Sequence, residues 1–354
     1  MAQRHTDMHI DSHAEIPRGA HLGRRIGMRM GAVIVALALS AAGLAGCAEE
    51  KKTVKVPKPT ITEVFPALSD EQLKAVLEKV AAAVDASDKA LEAEGLDTRV
   101  QNPALDLRKA QYELAKKKDG GTVTPMPFSG GTLTLTASQT WPRYVVNIAA
   151  KDKDSATFVH LLTQNDARSQ FKLSEWVRLF PQQTVPPTAV TQKGAPIIAN
   201  DATQLKKTPA DVAALYGESL LDEAKMTENG FDDDLLAQTL RKEDKDYKDA
   251  LEEAYEFSHS VKPDGDVIAI GLEDGGALVF ANYIEKVTIQ RKNENATMKM
   301  SGDIALLMGD EGKADKGLEA TNRMMTLTVI PAAKAEGNVH VIGAERILTS
   351  AKAL

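Results

Sequence analysis

Between Ser69 and Leu91, apolar residues recur at Leu73, Val76, Leu77, Val80, Val84 and Leu91. That three-to-four spacing is one face of a helix. Ser69-Asp70-Glu71-Gln72 forms a capping box at its start, and Gly95 marks its end. A second helix is predicted over Pro103–Lys118. The period then changes to two: Thr132–Gln139, Arg143–Lys151, Ala156–Gln164 and Gln170–Phe180 read as strands. Lys151–Asp154 and Asn165–Arg168 read as the turns between them. Links this short imply antiparallel pairing.

The pattern then begins again. Thr208-Pro209-Ala210-Asp211 carries a cap, a proline at the first helical position and an acid in the first turn. Val212, Leu215, Tyr216 and Leu220 supply the stripe, and more helix is predicted over roughly Asp233–Ser258. Strands are predicted again at Val267–Leu272, Ala277–Arg291, Ala296–Leu307, Thr321–Ile330 and Asn338–Leu348, with Asp274-Gly275-Gly276 as a hairpin turn. Helices first and strands afterwards, twice over, predict an α+β class. The expectation is two tandem units, each with N-terminal helices packed on a curved antiparallel sheet, the cystatin-like and nuclear-transport-factor-like architecture. They follow a signal peptide at 1–46 and an extended tether at 47–66, and cover 67–199 and 200–354.

The N-terminal reading rests on charge and on one thiol. Arg18, Arg24, Arg25 and Arg29 precede the apolar stretch Gly31–Ala42, and small residues then lead to Cys47, the single cysteine of 354 residues. These are the parts of a secretory signal. The stretch falls short of the roughly 20 residues a spanning helix needs. Arg24-Arg25 is followed by Ile-Gly-Met rather than the apolar consensus of a twin-arginine signal. Leu44-Ala45-Gly46-Cys47 resembles the bacterial lipobox. The resemblance implies cleavage before Cys47, diacylation of its thiol and acylation of the new amino terminus. A core cysteine behind an ordinary signal is the alternative, and a lone cysteine at this spacing speaks against it. Two or more acyl chains give stable anchoring where one does not. The tether, with Lys51, Lys52, Lys55 and Lys58 and prolines at 57, 59 and 66, is an extended spacer.

Residues 1–46 hold five arginines and three acids, so the remainder keeps 38 of the chain's 43 basic residues and 47 of its 50 acids. The resulting net of −9 argues against a nucleic-acid partner. Only 5% of residues are aromatic, which weighs against a carbohydrate-binding face. With Cys47 committed, thiol catalysis and cysteine metal sites are excluded for the folded part. At roughly 100–200 residues per domain, the remaining length favours two domains.

Trp141-Pro142-Arg143-Tyr144 is the most distinctive cluster. It reads either as a pocket mouth or partner contact, or as a strand start whose aromatics close the sheet over a helix. Three histidines follow the tether: His160, His259 and His340, none with a second ligand at metal spacing. His160 shares a strand face with Phe158 and Leu162. It reads as an acid/base if that face lines a pocket, and otherwise as a satisfied core histidine. Asp232-Asp233-Asp234 and the acids from Glu243 to Asp249 read as a helix start and a solvated face rather than a calcium site. Ser169-Gln170-Phe171-Lys172 matches Ser-x-x-Lys, but its companion motifs are missing. No pattern calls for a cofactor or a metal.

Trp141–Tyr144 opening a strand, Thr208-Pro209-Ala210-Asp211-Val212-Ala213 opening a helix, and Asp274-Gly275-Gly276-Ala277-Leu278-Val279-Phe280 in a hairpin, all after a lipobox, resemble a family of actinobacterial lipoproteins defined as a domain of unknown function. The likeness covers roughly Leu68–Leu354. It implies a place on the extracytoplasmic face of the cell membrane, anchored through Cys47, and carries over no catalytic residue. Two functions follow as expectations. One is a non-catalytic envelope module that binds a protein or glycan. The other is a small-molecule binder or enzyme that uses a pocket between helix and sheet.

Overall fold

The computed structural model describes residues 66 and 68–354, apart from 138–139, 151, 153–154, 189–193, 252–253 and 310–311. The predicted signal peptide and all of the tether but Pro66 lie outside the described residues. All described residues fall in one compact unit.

Helix α1, Asp70–Ala90, begins with the capping box: Ser69 accepts from the Gln72 amide, and Gln72 accepts from Ser69. Its stripe Leu73, Leu77, Val80 and Val84 is buried. Helix α2, Ala104–Lys116, is tied to α1 by Arg108, whose Nε donates to Asp88 Oδ1 at 2.8 Å. Tyr112 donates to the same carboxylate at 2.7 Å. Strands β1 (Thr132–Ala137), β2 (Arg143–Ala149), β3 (Phe158–Gln164) and β4 (Lys172–Leu179) then form an antiparallel meander.

The rest of the chain adds β5 (Ala195–Ile198), α3 (Pro209–Ser219), α4 (Glu223–Glu228), α5 (Leu235–Leu251), β6 (Tyr255–Pro263), β7 (Ile268–Gly271), β8 (Ala277–Arg291), α6 (Gly302–Met308), β9 (Gly317–Ile330) and β10 (His340–Ala353). Thr208 caps α3 as expected, accepting from Asp211 N at 3.1 Å.

The two tandem helix-on-sheet units do not exist. The strands of both halves close one mixed barrel of nine strands, in the order β8-β7-β5-β1-β2-β3-β4-β10-β9, with β8 and β9 paired to shut the ring. The cystatin-like and nuclear-transport-factor-like expectation falls with them. Two seams join the β1–β4 meander to the later strands. At one, β1 pairs with β5 in parallel, Thr136 opposite Ala195. At the other, β4 pairs with β10, Leu179 opposite Gly343. Both seams need a glycine. A Cβ at Gly343 would sit 2.7 Å from the Arg178 carbonyl oxygen. At Gly194, φ is +77° and a Cβ would lie 2.6 Å from the Ala137 nitrogen. The tenth strand, β6, pairs only with the far end of β8, beyond the barrel.

Two further expectations change. Asp233–Ser258 is not one helix: α5 stops at Leu251 and β6 starts at Tyr255. Ala296–Leu307 is not a strand: Met298 and Met300 are buried and alternate with exposed Lys299, but the chain then turns into α6.

The lumen is identified by one contact. Asn282 on β8 donates a hydrogen bond to Glu175 on β4. Those strands are separated in the wall by β10 and β9, so only side chains pointing inward can meet. By register, Val146, Leu161, Val177, Leu278, Phe280 and Leu327 share that inward face, and all are buried. The opposite face of the first four strands packs under α1, α2 and Phe128. On the other side, α3 and α5 cover Val279, Ala281 and Tyr283 of β8. Burial on both faces explains why β3 has no exposed residue.

Candidate functional site

At one end of the barrel Thr140, Trp141 and Pro142, ahead of β2, lie beside β5. Ala137, Thr140, Trp141, Pro142 and Tyr144 on one side, and Pro196 and Ile197 on the other, line a cavity of about 390 Å³. Trp141 is 40% exposed and Ile197 39%. The Arg143 guanidinium lies over the Trp141 ring, 4.5 Å from its centroid. That is a cation–π contact, of order 0.5–1 kcal/mol at an exposed site. The Arg143 Nε is buried without a hydrogen-bond partner among the described residues. Tyr144 is buried at the cavity's inner end; burial, then Asp266 and Glu175, push its phenol up. The mouth is therefore aromatic and apolar at its rim, with one cation stacked on it.

Trp141, Arg143 and Tyr144 are thus brought together. His160 is not with them. It sits opposite Asn147 and Trp176, on the sheet face turned away from Tyr144 and the lumen. Phe128 stacks on its ring at 4.3 Å and Phe158 at 5.9 Å. Its Nδ1 lies 3.1 Å from Asn147 Nδ2, and its Nε2 has no partner among the described residues. Burial pushes the ring down to about 3, so it is neutral at physiological pH. An acid/base site would need His160, Arg143 and a carboxylate in one cavity, and these groups lie apart. Leu44, Ala45, Gly46 and Cys47 lie outside the described residues.

The acid-rich segments resolve locally. Asp234 accepts from the Leu236 and Ala237 amides at 2.9 and 3.0 Å and from the Tyr216 hydroxyl at 2.9 Å, so it starts α5. Asp244 and Glu285 flank His259, at 3.2 Å from Nδ1 and 3.0 Å from Nε2. Among the described residues no cluster of three or more His, Cys, Asp or Glu is arranged to hold a metal ion. Ser169 and Lys172 make separate contacts, with Asp166 and with the Asp97 carbonyl.

Three residues that matter here were not singled out from the sequence. Ile197 lies on a four-residue strand too short to show a period. Glu175 and Asn282 are polar residues on the apolar faces of well-predicted strands. An acid between Ser174 and Trp176, in register with apolar neighbours, was the available signal.

No helix among the described residues is long and apolar enough to cross a membrane. An uncharacterized lipoprotein of Streptomyces avermitilis is 28% identical over 302 residues, covering 82% of this chain and 87% of its own. No solved structure matches the chain. The family model described as Domain of unknown function (DUF8094) matches residues 64–353, nearly the whole folded part, and the chain belongs to that family.

Proposed function

We propose that the protein is a cell-envelope lipoprotein, held on the extracytoplasmic face of the membrane by acyl chains on Cys47, and that it acts as a non-catalytic binding or assembly module through the mouth at Trp141. The anchor is supported by the Leu44-Ala45-Gly46-Cys47 pattern and by the name of the Streptomyces relative. The binding role is carried by one observation. The large hydrophobic side chains exposed among the described residues are Trp141, Ile197, Leu235 and Leu354, and the first two line the same cavity. Clustered exposed apolar surface marks interaction sites, where scattered single residues do not.

Two measurements on the full chain in cells test the two parts. Mass spectrometry of the mature N-terminal peptide should find acyl chains on Cys47, and C47A should abolish them. A photo-reactive residue replacing Ile197 should give a discrete adduct with an envelope component. If position 197 gives no adduct while a control position elsewhere on the barrel does, the mouth is not a binding surface.

A further inference from the structure

We propose that the surface recognised by the Trp141 mouth is the phospholipid bilayer that holds the anchor, so that the barrel stands mouth-down on the membrane. This rests on the anchored reading above and adds the identity of the partner. The route of the chain carries it. Pro66, the first described residue, pairs with Ala137, and Ala137 lines the cavity. The segment leading from Cys47 therefore joins the barrel at the mouth and not at another face. Cys47 and Pro66 are 19 residues apart. At about 3 Å per residue in an extended, proline-containing chain, the mouth lies within roughly 60 Å of the anchored end. A short covalent link of this kind turns weak surface contact into an intramolecular event at high effective concentration.

The chemistry of the mouth suits an interface. Tryptophan and arginine are residues of membrane-interface belts, one amphipathic and the other able to keep its charge among headgroups while its stem lies on apolar surface. Here they are stacked on each other at the exposed rim, with Ile197 beside them. Lys51, Lys52, Lys55 and Lys58 lie in sequence between anchor and mouth, where anionic headgroups attract them. Asp266, exposed and close enough to act on Tyr144, opposes them with a single negative charge.

The two tryptophans make the test clean, because Trp141 is exposed and Trp176 is 1% exposed. The full-length acylated protein is reconstituted into phosphatidylcholine–phosphatidylglycerol vesicles with and without brominated acyl chains, and tryptophan emission is read. Brominated lipid should quench the wild type, and W141F, which reports Trp176 alone, should be unaffected. Equal emission in both vesicle types, from protein that co-sediments with them, overturns the proposal while leaving the anchor intact. Equal quenching in W141F overturns it too, because the contact is then not at the mouth. The acyl mass on Cys47, measured on the same sample, decides the anchor separately.

Discussion

Two glutamates of this molecule are equally buried and titrate in opposite directions. Glu175, 2% exposed, points into the barrel lumen among Val146, Leu161 and Phe280. Glu285, 0% exposed, lies on the outer face of β8 beneath α5. Burial pushes Glu175 up to about 7, and the hydrogen bond from Asn282 recovers only part of that. Burial also acts to raise Glu285. There the Arg346 charge, with hydrogen bonds from His259 and Arg346, outweighs it and leaves the carboxyl below its ordinary value. The guanidinium grips both oxygens, Nε to Oε2 at 2.6 Å and Nη2 to Oε1 at 2.7 Å. Glu345 falls between them: it holds Arg178 and also feels the Arg108 charge, yet burial prevails and it stays raised. What separates Glu285 from the other two is that the charge and hydrogen bonds reaching it outweigh its burial. The lumen supplies Glu175 with an amide, and the outer face supplies Glu285 with charge.

Removing that charge is the largest expected effect. R346M should strand Glu285 and cost about 3–5 kcal/mol in urea unfolding, the usual loss when one partner of a buried pair goes. The double variant R346M/E285Q should recover much of it. If R346M alone is neutral, the outer cluster is not what holds Glu285 ionised.

Next comes the pH dependence of the lumen acid. Glu175 has a folded pKa above its unfolded value of 4.5, so its contribution to stability is fully present below pH 4.5 and is lost as pH rises through about 7. The loss is about 3 kcal/mol. Glu285 has the opposite sign: its contribution is present above 4.5 and is lost as pH falls through its lowered folded pKa. Asp234, raised to about 6 by burial, shares the sign of Glu175. His160, lowered to about 3, contributes stability above its ordinary 6.5 that is lost on acidification. Only a difference between proteins isolates Glu175. E175Q should match the wild type near pH 4.5 and exceed it at pH 8. A glutamine also brings an N–H toward Asn282 Oδ1, which has no hydrogen-bond partner among the described residues. Parallel stability curves for the two proteins would refute the assignment.

The outer cluster should respond more gently to loss of its second donor. His259 Nε2 reaches Glu285 Oε1 at 3.0 Å while Arg346 still holds both oxygens. H259Q should therefore cost about 1.5–3 kcal/mol, the scale of one hydrogen bond to a charged group. A loss as large as that of R346M would mean that the histidine, not the arginine, sets the state of Glu285.

How much of this could be read beforehand follows from which signals are local. Caps are local, and Ser69 and Thr208 start α1 and α3 where expected. Strand period and turn chemistry are local, and β8 runs from Ala277 to Arg291 as predicted, after a turn in which Asp274 accepts from the Gly276 amide at 2.9 Å. Closure is not local. The β1–β5 and β4–β10 seams each rest on two residue pairs between segments far apart in sequence, and no periodicity encodes which edges meet. The same limit hid the lumen. In the fold Glu175 pairs with Leu161, but that this face turns inward toward Asn282 follows only from the closed ring. At the mouth, Trp141, Arg143 and Tyr144 stood out by residue type, whereas Ile197 needed the parallel seam to bring it there.

The smallest expected effect sharpens the contrast most directly. Among the described residues Asn282 is the group that lowers the Glu175 pKa, against burial that raises it. Replacing it by leucine, which matches its size and brings no dipole, removes that opposition without adding a charge. In N282L the carboxyl should titrate above about 7, followed by the pH dependence of unfolding relative to N282L/E175Q. Stability at pH 5, where Glu175 is already neutral, should change by no more than about 1 kcal/mol, since one neutral hydrogen bond is exchanged for apolar packing. Were the midpoint instead to fall, a second donor would be reaching the lumen carboxylate, and the amide would not be the feature that separates Glu175 from its charged counterpart on the outer face.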